Sequence, residues 1–198
     1  GAFVSALIAA EFSKLIAGKT KVDIVLVPAA TIIVGGLVGL TISPVMASFM
    51  KAIGQMINTA TELQPLPMGI IIAVVMGIIL TLPISSAALA ISLGLSGIAG
   101  GASLVGCCCQ MVGFAAISYR ENGIGGAIAQ GLGTSMLQVP NIIKNPKIWI
   151  PPIVASAILG PISTVFLKME SNSVGAGMGT SGLVGQFGAY AADRKSVV

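Results

Sequence analysis

From Leu63 to Tyr119 the chain runs fifty-seven residues without an Asp, Glu, Lys or Arg. A helix crosses the hydrocarbon core of a bilayer in about 20 apolar residues, so this stretch alone is long enough for two crossings. The rest of the chain has the same texture: Ile24 to Met50, Asn122 to Ile143, Ile148 to Leu167 and Ser171 to Ala192 carry no charge. Only 8% of residues are charged and the mean hydropathy is +1.01, against roughly 25% charged residues in a soluble domain. Hydrocarbon offers backbone N–H and C=O groups no partner, so a spanning chain must satisfy them internally, as helices or closed barrels. The apolar runs are continuous, without the in/out alternation of a barrel strand. The expected fold class is therefore an all-α polytopic membrane protein, with about five to seven spans or re-entrant segments at this length.

The formal charge of +4 is spread over short loops and forms no basic face, so no nucleic-acid partner is expected. Lys14, Lys19, Lys21, Lys144, Lys147 and Lys168 read as anchors at the membrane surface. The chain has no histidine, which removes the commonest proton shuttle and metal ligand. The three cysteines, Cys107, Cys108 and Cys109, are adjacent within an apolar run. Successive residues on a helix point about 100° apart, so these three do not build a tetrahedral metal site. They read as small packing residues, and neither metal nor cofactor is expected.

Along the chain, Gly1 to Ala17 reads as half of a membrane helix, with Glu11 and Lys14 spaced to pair. After a basic turn, Lys19-Thr-Lys21, the run Val22 to Ile42 is a span carrying Gly35-x-x-x-Gly39, a spacing that lets helices approach closely. Pro44 to Gln64 has a Met46, Phe49, Met50, Ile53, Met56, Ile57 face opposite Ser48, Lys51, Gln55, Asn58 and Glu62. It is expected to be a separate amphipathic helix at the interface or on a partner subunit. Leu66 to Leu82 is a second span with Gly69, Ala73 and Gly77 in a stripe, and Ile84 to Gly94 is a short broken or re-entrant helix. Gly97 to Tyr119 and Ile148 to Leu167 are further spans, the latter opened by Trp149 as an interfacial anchor. The chain opens inside an apolar segment with neither a start Met nor a basic leader, and its last six residues, Asp193 to Val198, read as a non-native tail. The expectation is one transmembrane domain over 1–192, a fragment of a longer chain.

Two glycine-rich segments, Glu121 to Asn141 and Glu170 to Ala189, echo each other. Each opens on a glutamate near an asparagine, Glu121-Asn122 and Glu170-Ser-Asn172. Each carries Gly-x-Gly-Thr-Ser, as Gly131-Leu-Gly133-Thr134-Ser135 and as Gly177-Met-Gly179-Thr180-Ser181. Transporters place substrate where helices break near the bilayer midplane, often in paired interrupted segments. Glycine permits such breaks, and a following Thr or Ser can cap the half-helix. A neutral polyol needs many hydrogen-bonding groups and little charge. Glu121, Asn122, Gln130, Thr134, Ser135, Gln138, Asn141, Glu170, Asn172, Thr180 and Ser181, with Gln110, would supply them, and the two Glu-Asn pairs are expected to approach one cavity. The competing reading makes the two glutamates loop residues after Arg120 and Lys168, and the amides helix glue.

At these residues the chain resembles a known family. The runs Val105-Gly-Cys-Cys-Cys-Gln-Met-Val-Gly-Phe-Ala-Ala-Ile-Ser-Tyr-Arg-Glu-Asn-Gly, Gly-Leu-Gly-Thr-Ser-Met-Leu-Gln-Val-Pro-Asn and Ile-Trp-Ile-Pro-Pro are similar to the sugar-permease (EIIC) component of the bacterial phosphotransferase system. The closer match is the branch that includes PfoR-type membrane regulators. The resemblance implies an EIIC-like fold with broken helices, forming a homodimer in the bacterial inner membrane and moving a sugar across the lipid bilayer. Its partners would be EIIB and EIIA components, which phosphorylate the sugar at the expense of phosphoenolpyruvate. It implies, as the alternative, a regulator on the same fold without transport. Permeases of this superfamily often pair a histidine with a glutamate at the sugar; here only Glu121 and Glu170 are available. No phosphorylated Cys or His of a partner domain carries over, so the chain is expected to be a non-catalytic subunit.

Overall fold

The computed structural model describes residues 2–17 and 23–196, with no side-chain description at 2–4, 23–24, 46 and 194–196. The expected basic turn Lys19-Thr-Lys21, the start of the first full span at Val22, the Met46 side chain and the last two tail residues lie outside what is described. Among the described residues the backbone is helical throughout apart from connecting turns and one isolated antiparallel bridge, Gly97 to Ser171. Contacts divide the chain into two compact units, Gly1–Ala52 and Ile53–Val198.

In the first unit, α1 (Ala2–Ile16) packs on the opening part of α2 (Asp23–Leu63). The small-residue spacing makes this possible. A Cβ on Gly35 would sit 3.3 Å from the Ala9 Cβ, and one on Gly39 would sit 3.5 Å from Ser5 Oγ. Ser13 and Thr31 hydroxyls bond across the same seam. Glu11 and Lys14 pair as their spacing implied, at 2.7 Å.

The expected break at Pro44 is absent: α2 is one 41-residue helix with Pro28 and Pro44 inside it. A proline removes a single N–H from the ladder, whereas ending the helix strands several polar groups at once in an apolar setting. Around Pro44 the hydroxyls of Thr41 and Ser48 bond the Val38 and Pro44 carbonyls at 3.0 Å each. What reads in sequence as a separate amphipathic helix is the second half of α2.

The second unit is built on α3 (Pro65–Thr81), α5 (Gly97–Ile128) and α7 (Ile150–Pro161), each packed on the other two. Small residues bring their backbones into contact. A Cβ on Gly106 would fall 1.9 Å from the Ala73 carbonyl oxygen, one on Gly77 2.8 Å from the Gly106 oxygen, and one on Gly160 2.5 Å from the Gly69 oxygen. The Gly69, Ala73, Gly77 stripe is thus the seam of the core. Ile72, Met76, Leu80, Cys107 and Met111 fill the space around it. Cys107 and Cys109 are buried and Cys108 half-buried, in keeping with their reading as packing residues. Between α3 and α5 in the chain comes α4 (Ser86–Leu93), capped by the Ser85 hydroxyl and closed by Gly94 in the left-handed region.

Arg120 and Glu121 do not end α5, although the sequence reading closes the span at Tyr119. The helix runs through both to a break at Gly123, whose φ of 61° and ψ of −161° belong to a region essentially reserved to glycine, and a short helical piece follows to Ile128. A π-turn follows at Ala129–Gly133, then a 3₁₀ turn at Ser135–Gln138, α6 (Val139–Lys144) and a second 3₁₀ turn at Pro146–Trp149 leading into α7. A second π-turn, Ile162–Phe166, ends α7. Then come α8 (Ser173–Ala176), a 3₁₀ turn at Ser181–Leu183 and α9 (Val184–Ser196). Among the described residues three helical stretches are long and apolar enough to cross a membrane: Val25–Leu63, Gly97–Gly133 and Pro146–Phe166, with Pro65–Thr81 as a shorter apolar helix. In the second unit the continuous Pro65–Thr81 helix therefore stands beside two interrupted stretches, Gly97–Gly133 and Pro146–Phe166.

Candidate ligand cavity

Where α5 nears its kink, its Ser118 and Glu121 face the segment that carries Gln138, Asn141, Lys144 and Asn145. Together with Phe114, Ile117 and Ile148 these residues line a cavity of about 300 Å³. Its size is at the lower end of small-molecule sites. A Ser at i and a Glu at i+3 share one helix face, which aims both at it.

One wall is a chain of side-chain hydrogen bonds. Asn141 Nδ2 donates to Gln138 Oε1 at 2.9 Å. Gln138 Nε2 donates to Gln130 Oε1 at 2.9 Å, and Gln130 Nε2 to Ser118 Oγ at 2.8 Å. Ser118 in turn donates to the Phe114 carbonyl at 2.8 Å. Gln130, Gln138 and Ser118 are buried, where a polar group is tolerable only when bonded. The direction of each bond fixes which atoms remain for a ligand: Asn141 keeps its Oδ1, and each amide keeps a second N–H. Glu121 and Lys144 face the same cavity without forming an ion pair with each other.

Of the residues singled out in sequence, Glu121, Gln138 and Asn141 line this cavity, and Gln130 stands directly behind it. Ser118 and Asn145 were missed. Ser118 lay in plain view three residues before Glu121, while Asn145 is brought there only by the turn after α6. Lys144, read as a surface anchor, also lines the cavity. Asn122 is exposed and lies against Gly126 rather than in the cavity lining. Trp149, read as an interfacial anchor, donates its indole N–H to Oε1 of fully buried Gln110 at 3.1 Å, tying the turn before α7 to α5.

The two Gly-x-Gly-Thr-Ser segments meet each other. Thr134 caps a 3₁₀ turn, accepting from Met136 N at 3.2 Å, and Ser135 bonds Thr81 at 3.1 Å. Thr180 instead donates to the Gly131 carbonyl, and Ser181 to the Gly133 carbonyl at 3.0 Å. The echo in sequence is therefore a contact in space. The Glu-Asn pairs are not brought together: Glu170 and Asn172 line a different cavity, of about 310 Å³, with Ser96, Ser171 and Ala191. Asn172 is engaged in capping α8, accepting from Gly175 N at 2.8 Å. The expectation of one cavity shared by all four residues fails because α5 continues through Glu121 as helix, which carries Glu121 away from the Glu170 turn.

Among the described residues no group of three or more His, Cys, Asp or Glu side chains could hold a metal ion. The arrangement offers amide and hydroxyl donors and acceptors at fixed positions beside one carboxylate, Glu121, and one ammonium, Lys144, which is suited to hydroxyl-rich ligands. A family model for the phosphotransferase system EIIC component matches residues 1–198. No curated protein and no solved structure matches the chain.

Proposed function

The chain belongs to the EIIC family of the phosphotransferase system, and we propose that the Glu121 cavity is its sugar seat. As a family member it is a multi-pass sugar-permease component that works in a membrane with other components of that system. The observation that supports the seat is the amide chain Asn141–Gln138–Gln130–Ser118 on the wall of the cavity that Glu121 lines. Sugar hydroxyls both donate and accept, and a wall of oriented amides meets both needs while Glu121 accepts from one hydroxyl. In this reading an EIIB partner, charged from phosphoenolpyruvate, phosphorylates the seated sugar, and the permease acts as a homodimer in the bacterial inner membrane. Glu170 and Asn172 stand outside the seat.

The test is binding and uptake of radiolabelled D-glucose, D-galactose, D-mannose and D-fructose by the full-length protein in proteoliposomes, with and without EIIB and EIIA. Saturable uptake that Glu121→Gln weakens about tenfold, 1.4 kcal/mol, supports the reading. A protein that takes up none of them overturns transport of these sugars, and binding without uptake assigns it to the regulators.

A further inference from the structure

The second Gly-x-Gly-Thr-Ser segment touches no residue lining the Glu121 cavity through its Thr and Ser, yet both hydroxyls are committed to the turn that carries Gln130. A π-turn shifts the backbone register by one, as Thr134 N bonding the Ala129 carbonyl at 2.9 Å shows. The carbonyls of its last residues then have no place in an ordinary helical ladder, and a carbonyl left out of the ladder in an apolar setting needs another partner. Two are met from one place: Thr180 Oγ1 donates to Gly131 O and Ser181 Oγ to Gly133 O, forty-nine and forty-eight residues away in sequence. Consecutive hydroxyls thus hold alternate carbonyls of one turn.

The holder is itself fixed. Gly179 has a φ of +56°, and a Cβ there would lie 2.9 Å from Cys107 on α5, so this approach needs glycine. Gly185 N bonds the Gly179 carbonyl at 3.1 Å, and Thr180 also reaches Met111 Sδ at 3.3 Å. On the other side Gln130, inside the π-turn, uses both ends of its amide, donating to Ser118 and accepting from Gln138. Which end of Gln138 faces which neighbour is therefore set by Gln130.

We propose that Thr180 and Ser181 are positioning residues for the sugar seat: they hold the Gln130 turn and so fix the amide orientation of Gln138 and Asn141, which sets discrimination among ligand hydroxyls. This rests on the cavity being the sugar seat. Simple helix glue is the competing account. Glue would alter stability, whereas a positioning pair alters selectivity as well.

The experiment uses the full-length protein in nanodiscs, as parent, Ser181→Ala, Thr180→Val and Thr180→Ser. The first readout needs no ligand: amide hydrogen exchange over residues 129–138. Each lost hydroxyl should speed exchange there by about fivefold, the loss of one ordinary hydrogen bond, and Thr180→Ser should restore the parent rate. The second readout is the affinity ratio between D-glucose, D-galactose, D-mannose or D-fructose and its monodeoxy analogues. That ratio should fall about tenfold or more in Ser181→Ala and Thr180→Val and recover in Thr180→Ser, because a freed amide rotates to suit either ligand. Unchanged exchange overturns the holding role whatever the ligand. Faster exchange with an unchanged ratio overturns the positioning role and leaves glue. A parent that binds none of the four sugars overturns the seat, and the selectivity claim with it, while the exchange data still decide the holding role.

Discussion

Gln110 and Gln138 are both buried amides, and the structure gives them opposite sensitivities. Gln138 uses its oxygen and its nitrogen, toward Asn141 and Gln130. Replacing it with Leu leaves the buried Gln130 oxygen unpaired, at about 1–3 kcal/mol, and frees the exposed Asn141 amide. Gln138→Leu should therefore lower the thermal midpoint measurably and weaken sugar binding tenfold or more. Gln110 accepts from Trp149, but its Nε2 has no hydrogen-bond partner. Gln110→Leu removes one bond together with one unsatisfied donor, and its net cost should stay within about 1 kcal/mol. Trp149 is the single tryptophan, so its emission spectrum reports the lost bond directly. A larger loss of stability in Gln110→Leu than in Gln138→Leu would overturn this account.

The kink of α5 is an element-scale feature with a one-residue cause. Gly123 occupies a conformation that side chains rarely adopt, with open space around it, so the penalty of a Cβ there is backbone strain alone. Gly123→Ala should cost about 1–3 kcal/mol, while Gly125→Ala, also in open space without positive φ, should be neutral or slightly stabilising. Urea or thermal unfolding of the two variants separates them. Helix α3 makes a second prediction. Its 17 residues span roughly 25 Å, with Ile71 and Val75 on the outer face and Gly69, Ala73 and Gly77 on the core face. Cysteines at 71 and 75 should resist a water-soluble maleimide, yet react with a lipid-soluble one. Efficient aqueous labelling at either would show that α3 is not a lipid-facing span.

At the scale of the whole molecule the second unit holds Glu121 and Glu170 in separate cavities. Of these, the Glu121 cavity is backed by the buried, mutually bonded amides of Gln130 and Gln138. Glu121→Gln should therefore impair sugar binding about tenfold while Glu170→Gln leaves it near the parent value; each decade is about 1.4 kcal/mol. Isothermal titration of both variants checks this. Equal losses in the two would mean that the sugar contacts both cavities, and would restore the single shared site expected from the repeat.

The residue sequence by itself determined the solvent, and through it the class of fold. Long uncharged runs need hydrocarbon, hydrocarbon demands helices, and small residues at fourfold spacing mark where helices touch: Gly35 and Gly39 on α1, and Gly69, Ala73 and Gly77 on α5 and α7. The breaks at Gly94 and within residues 129–138 were also legible, because glycine clusters and capping hydroxyls act locally. Pro44 and Glu121 misled for one reason. A proline or a charge is a local penalty, and whether a helix stops there depends on whether the alternative strands more polar groups, which neighbouring packing decides. Only the tertiary structure could show that Thr180 and Ser181 reach the π-turn some fifty residues earlier, that Ser118 and Asn145 join Glu121, and that the two glutamates part. Those outcomes depend on the paths of α5 and of the turns that follow it, and a kink at one glycine redirects everything downstream without leaving a signal in the residues it brings together.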